Sequence, residues 1–345
     1  MTTLDGTRVE GTTRVGRADL DQYARSDLAR SIWGLATSVV PFLALWALMF
    51  VVYPISYWLV LLVSIPAVGF LVRTYILFHD CVHGSFLSGR RANAWVGTAL
   101  ALLVLTPFAR WRYEHVTHHA TSGDLDRRGV GDVPVLTVAE YNAKGWLGRL
   151  GYRLYRNPVV LFGLGPIYST VIMQRIPNPL ARQRMHRSVW GTNLAVAVGI
   201  GALCWAFGWR AVLLVELPLV VLAGGIGLWL FYVQHQYPTS YWDHTEDWSF
   251  TDSALRGSSY LRLPKFLQFF TGNIGFHHVH HLNPKIPNYN LQRAHEEQPV
   301  FHSVQPLSLW DGVKAARLKL FDEDAGRLVT WRQARIQPRA SAPAT

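Results

Sequence analysis

Nine of the fourteen histidines fall in patterns able to ligate metal. His79 and His83 stand four residues apart, a spacing that sets both imidazoles on one face of a helix. His115, His118 and His119, and again His277, His280 and His281, repeat the offsets i, i+3 and i+4. Each trio is expected to converge on a metal from one helical face. His235, in Tyr232-Val233-Gln234-His235-Gln236-Tyr237, is the ninth. With 14 histidines in 345 residues, a given His-x-x-His-His arises by chance in roughly one such chain in fifty. Two of them beside a His-x-x-x-His do not read as coincidence.

Nine neutral imidazoles exceed the needs of one ion and suit two ions with open positions. Imidazole binds zinc, copper, iron and nickel alike, so the ligand type does not name the metal. Structural zinc sites stop at four ligands and favour thiolate. A site beside a membrane, with no signature of a charged substrate, fits redox iron better. Ligating histidines need an acceptor on the far ring nitrogen. Asp80 is the first candidate for that role. Glu114, Asp124, Asp126, Asp132 and Asp247 also lie near the clusters in sequence; for all six carboxylates, Asp80 included, solvated surface charge is the first expectation. His278 is off the three-histidine pattern and is expected to support a ligand from behind. His186, His244, His295 and His302 are isolated and expected to play no part.

Half the residues are hydrophobic, 16% are charged and 13% are aromatic, too apolar a mixture for an ordinary soluble domain. A spanning helix needs about 20 apolar residues. Residues 32–53, 55–78, 190–209 and 211–233 satisfy this, in two pairs with very short connections. The first connection has no Lys or Arg and the second only Arg210, whereas the N-terminus, residues 90–187 and the chain after Tyr237 are Arg-rich. The positive-inside rule then puts both termini and every histidine cluster on the cytoplasmic face. Residues 94–109 are apolar but too short for a comfortable span and are expected to lie at the interface, as are 157–176, which Gly163, Gly165 and Pro166 interrupt. The expected fold is all-α and integral to the membrane: four transmembrane helices in two hairpins, under a cytoplasmic helical cap carrying the histidines. Residues 1–30 read as a flexible tail, 31–300 as the catalytic domain, and 301–345 as a cytoplasmic segment whose end is disordered. The net charge of +11 suits anionic lipid rather than nucleic acid, since no compact basic domain stands apart. Cys81 and Cys204 form neither a zinc pattern nor a disulfide framework. No signal-peptide stretch opens the chain, so the inner membrane is the expected location.

Three stretches carry a resemblance: HDCVHGSF from His79, WRYEHVTHHATSGDLDRRGVGDV from Trp111, and NIGFHHVHHLNPKIPNYNL from Asn273. In order and spacing they are similar to the membrane fatty-acid desaturases, in particular the acyl-lipid desaturases of the omega-6 type, over roughly residues 30–300. The resemblance implies two irons, cycling between Fe2+ and Fe3+, held by His79, His83, His115, His118, His119, His235, His277, His280 and His281. It implies dioxygen as oxidant, electrons from a separate ferredoxin-like protein, and a fatty acyl substrate linked to phospholipid, acyl carrier protein or coenzyme A. Some relatives place an Asn one turn before the histidine that matches His235; here that residue is Phe231, and water is expected in its place. Trp111, Tyr232 and Phe276 flank ligands and are candidates for the acyl tunnel wall or for plain packing. Hydroxylation, ketolation or acetylenic-bond formation on the same scaffold is the nearest alternative. A metal transporter is a distant one, because only Glu216 lies deep in a span.

Overall fold

The computed structural model describes residues 17–177 and 182–336. Most of the expected tail and the final residues lie outside that description. Four helices are long and apolar enough to cross a membrane: Leu28–Val52, Tyr57–His83, Gln183–Phe207 and Trp209–His235. Their 25 or 27 residues give lengths of about 38–40 Å against a hydrocarbon core of about 30 Å. The excess has a use. The second and fourth helices run unbroken past their apolar stretches, to end on His83 and His235.

Local chemistry sets the ends. The Asp27 carboxylate accepts from the Arg30 backbone N–H at 2.9 Å and opens the first helix. The Ser56 hydroxyl does the same for Trp58 at 3.3 Å and opens the second. Gly84, at φ +69°, closes the second helix one residue after His83, in the left-handed conformation that glycine adopts freely. The helices turn large apolar side chains outward, with Trp58 80% and Trp205 91% exposed, as a lipid environment allows. Between them Met49, Val60 and Val215 are fully buried. Deep in the bundle, Glu216 accepts a hydrogen bond from Trp46 Nε1 at 2.7 Å, which joins the fourth helix to the first.

Residues 94–109 do not make one helix. Helix Arg90–Leu103 meets helix Phe108–Thr121 at 104°, with Leu105 at φ +51° and Pro107 at the corner. Since His79 and His83 meet His115 and His119 (below), this bent pair starts and finishes at the same end of the bundle. Residues 157–176, expected as an interfacial helix interrupted by Gly163, Gly165 and Pro166, are irregular throughout. They form π-helical turns at Val160–Leu164 and Tyr168–Ile172 around a short α turn, then a 3-10 turn. The fourth helix accommodates them with paired glycines. A Cβ on Gly224 would stand 2.6 Å from Pro166 Cβ, and one on Gly225 would stand 2.6 Å from the Phe162 carbonyl oxygen.

The expectation of an all-α chain needs correction. Leu318–Asp322 pairs antiparallel with Arg327–Thr330 and parallel with Leu136–Thr137, and Tyr260–Leu261 pairs parallel with Pro306–Leu307. The strand Leu318–Asp322 is buried along its whole length, a demand the sequence hides because Lys319 interrupts the apolar run. Its Nζ is satisfied by the carbonyls of Arg156 at 2.6 Å and Ala316 at 2.5 Å. Residues 20–30 also differ from a free tail. Tyr23 is buried and donates to Glu297 at 2.8 Å, and Arg30 donates to Asn290 at 2.8 Å.

Gly225→Ala is expected to lower the thermal stability of the detergent-solubilised protein by about 1–3 kcal/mol, through overpacking against a backbone carbonyl. Gly201→Ala, whose Cβ meets nothing within 4 Å, is expected to be neutral or slightly stabilising. Equal melting temperatures for the two variants would contradict the close approach.

Candidate metal centre

The nine histidines sort into two groups. His79, His83, His115, His119 and His280 form the first, and His118, His235, His277 and His281 the second. Within each group one nitrogen from every residue lies within 4.8 Å of all the others. All nine are buried, none more than 8% exposed.

Neither trio serves a single ion, contrary to the sequence expectation. A helix advances about 100° per residue, so i and i+4 differ by about 40° while i+3 lies about 60° to the other side. His115 and His119 therefore join the first group while His118 turns to the second. In the short helix His277–Leu282 the outer pair, His277 and His281, joins the second group and His280 crosses to the first. The second transmembrane helix supplies only the first group, and the fourth only the second.

The spacing fits metal ligation. Ring nitrogens lie 3.1 Å apart between His115 and His119, and 3.0 Å apart for His119–His280, His118–His235 and His235–His277. Nitrogens each about 2.1 Å from one ion would lie roughly 3.0–3.4 Å from their neighbours. Hydrogen bonding does not account for the pattern, because His119 Nε2 and His235 Nε2 each meet two other Nε2 atoms and carry at most one proton. Nε2 of His79, His83 and His281 are buried with no hydrogen-bond partner, a cost that a bound cation would remove. Burial first, and neighbouring imidazoles second, hold His115, His119, His277, His280 and His281 well below the ordinary histidine value. These rings are neutral, the form that binds metal.

Acceptors stand behind several rings. His79 Nδ1 is 3.2 Å from Asp80 Oδ1, and the other oxygen of Asp80 accepts from the backbone and side-chain nitrogens of Asn288, each at 2.7 Å. His235 Nδ1 is 3.1 Å from the Gly257 carbonyl. His118 Nδ1 meets Asp132, whose side chain is 8% exposed. Asp132 is therefore not a solvated surface charge. Gly129 and Gly131, at φ +110° and +75°, fold its loop back, and a Cβ on Gly131 would stand 2.5 Å from the Glu114 carbonyl oxygen. That G-x-G-D run was the available signal. Asn288 was also missed; nothing but its place in the third resembling stretch pointed to it.

The other acidic candidates have different duties. Glu114 pairs with Arg110 at 2.9 Å and Asp126 with the exposed His244 at 2.9 Å. Asp124, fully buried rather than solvated, accepts from the backbone of Asp126 and Arg127 and pairs with Arg127. The Asp247 backbone carbonyl accepts from the Tyr241 hydroxyl. His278 joins neither group; its Nε2 lies 3.0 Å from His295 Nδ1, and burial pushes it down to about 3. His302 lies against the carbonyls of His295 and Glu296, and His186 enters neither group. Trp111 stacks on His115 at 4.3 Å, whereas Tyr232 is tied to the Leu318 carbonyl and Phe276 stacks on Tyr260. Phe231 packs 4.9 Å from His118. Beside it a cavity of about 10 Å³, lined by His118, Ser122, Asp132 and His235 among others, has space on the order of one water.

Residues 56–304 match the family described as fatty acid desaturase. The chain is 42% identical over 321 residues to a fatty acid desaturase of Bacillus subtilis, covering 93% of this chain and 91% of that protein. It is 32% identical to the sn-1 acyl-lipid omega-3 desaturase (ferredoxin) of Synechocystis, over 64% of this chain and 62% of that one. To the chloroplastic omega-6 fatty acid desaturase of Arabidopsis thaliana it is 24% identical, over 64% and 49%. The chain belongs to the fatty acid desaturase family. It is an oxidoreductase that introduces a double bond into a fatty acyl chain, and its two histidine groups fit a pair of metal ions.

Asp132→Ala is expected to lower metal affinity by roughly 10- to 100-fold, as loss of an acceptor behind a ligand does elsewhere, with Asp132→Asn intermediate. Metal content after graded chelation reads this directly, and retention equal to wild type would remove Asp132 from the centre.

Proposed function

We propose that the chain is an acyl-lipid desaturase of the cell inner membrane, with a two-iron centre on the cytoplasmic side. The observation that carries this reading is the meeting of nine buried histidines, in two groups, at the end of the second and fourth transmembrane helices. The first group would hold one iron through five imidazoles and the second group the other through four. Bound iron would supply reductive activation of dioxygen, which these side chains cannot perform themselves. Overall, one –CH2–CH2– unit becomes –CH=CH–, and the two hydrogens it loses, together with dioxygen, two electrons and two protons, leave as two waters.

The chain's own part is to position and to exclude. Asp80, Asp132 and the Gly257 carbonyl fix ring orientation from behind. Burial of all nine rings restricts bulk water, which limits side reactions. Trp111, stacked on His115, and Phe231, packed on His118, give the centre apolar walls. A methylene pair held against such walls gains most of what positioning can offer.

The four spans form two hairpins in this reading, with both termini cytoplasmic, because Arg210 is the lone cation in their connections. Phospholipid is preferred over acyl carrier protein or coenzyme A as carrier, since two relatives from Synechocystis are named as acting on acyl- or oleoyl-lipids. The electron donor is assigned as a ferredoxin, the donor in the name of one of them. Arg90 and Arg184 lie close enough to Arg112 to repel it. Burial first and that repulsion second lower Arg112 from its ordinary value, and an acidic donor would relieve the repulsion.

Expression in a bacterial host lacking desaturases, beside the His118→Ala variant, tests the assignment. New unsaturated acyl chains are expected with the wild type alone. Products heavier by one oxygen would make the chain a hydroxylase, and purified protein free of iron would sink the two-iron centre.

A further inference from the structure

Away from the histidines, a cleft of about 490 Å³ opens where the Leu318–Asp322 strand meets the end of helix Trp146–Tyr155. That volume is within the range of small-molecule sites. Five cations line it: Arg153, Arg156, Arg317, Lys319 and Arg332. No carboxylate does, and none of the five makes a salt bridge among the described residues. Burying or crowding like charges in this way is unfavourable without an anion.

The deepest of the five is the most telling. Arg156 is 1% exposed. It donates to the Pro134 carbonyl at 3.1 Å, the Tyr232 hydroxyl at 2.8 Å, the Leu318 carbonyl at 3.1 Å and the Gln236 side chain. All four partners are neutral, and its Nε has no partner at all. Arg153 uses Nε on the Tyr141 hydroxyl at 2.6 Å and lies 4.8 Å over the Trp331 ring, leaving its other nitrogens for a ligand. Arg317 and Arg332 are exposed at the rim.

Two helices lead to this cleft, and both turn apolar side chains to the outside. Trp146–Tyr155 exposes Trp146, Leu147, Leu150 and Leu154, and its end supplies Arg153 and, one residue on, Arg156. Leu309–Ala315 exposes Leu309, Trp310 and Val313, and Arg317 follows it closely. Exposed Trp and Leu beside cations are the pattern of helices lying in a headgroup layer. A concave cationic site at that level meets lipid phosphates before anything else.

We infer that this cleft binds the phosphate of a glycerophospholipid whose headgroup is net negative. The absence of a carboxylate in its lining decides the headgroup class: the ammonium of a choline or ethanolamine headgroup would find five cations and no counter-charge. The inference rests on the lipid-linked reading above and gives it a recognition site. Arg156 also ties the cleft to the metal centre, since its partners Tyr232 and Gln236 stand three residues before and one residue after His235.

The test measures binding of short-chain phosphatidylglycerol, short-chain phosphatidylcholine and inorganic phosphate to the full chain purified in neutral detergent. Wild type and Arg317→Gln/Arg332→Gln are compared, with Arg317→Lys/Arg332→Lys and the melting temperature as controls for folding. At about 1 kcal/mol per basic residue near a lipid surface, the Gln pair is expected to weaken phosphatidylglycerol binding roughly 30-fold. The Lys pair is expected to retain it, and phosphatidylcholine is expected to bind weakly throughout. Equal phosphatidylglycerol binding by wild type and the Gln pair overturns the inference. So does inorganic phosphate binding as tightly as the lipid, which would make this a free-anion site. Unchanged lipid binding with slower ferredoxin-supported turnover would make it a donor-docking face instead. Repeating the binding in His118→Ala separates the two readings. A wild type that binds the lipid yet makes no unsaturated product leaves the site standing and the desaturase assignment failed; a wild type that makes the product without binding lipid here fails the site alone.

Discussion

Nine buried imidazoles share one small space, with ring nitrogens 3.0–3.1 Å apart in four pairs that hydrogen bonding does not account for. Neutral rings pointed nitrogen to nitrogen have unsatisfied lone pairs, which is tolerable only if cations complete the arrangement. The rest of the molecule answers to that constraint. Carboxylates sit behind His79 and His118, the groups are kept from water, and the helices that carry them are anchored far from the centre. Long helices that continue past their apolar stretches carry His79, His83 and His235 without an intervening loop that would loosen them.

Helix phase then divides the ligands. Because i and i+4 point nearly together while i+3 points away, each short helix bearing a His-x-x-His-His run serves both groups at once. Helices Phe108–Thr121 and His277–Leu282 are therefore shared between the groups, and the second and fourth transmembrane helices each fix one. The separation of the two groups follows from the packing of those two transmembrane helices, which contact one another along the bundle. Gly224 and Gly225 contribute by letting the irregular segment around Phe162 and Pro166 lie directly on the fourth helix.

Charge is distributed with the same economy. Cations gather without a salt-bridge partner among the described residues, at Arg112 beside Arg90 and Arg184 and again in the cleft lining around Arg156. Both are arrangements a protein keeps when an anionic partner, lipid or protein, completes them.

Much of this was written in the sequence. Four apolar stretches of the right length and the histidine runs with their spacing point to a membrane protein with a histidine-rich metal site, because hydropathy and helical periodicity are local properties. The acceptor beside His79 was legible too, since Asp80 is its neighbour. What the sequence could not assign was which histidine joins which group, since that depends on where two helices lie relative to each other rather than on spacing within either. Asp132 looked like surface charge for the same reason: only the fold of the Gly129–Gly131 turn brings it to His118. The strand Leu318–Asp322 was concealed by Lys319, whose ammonium is satisfied by the carbonyls of Arg156 and Ala316. One of these is remote in sequence, so only tertiary structure could decide that a lysine belongs inside.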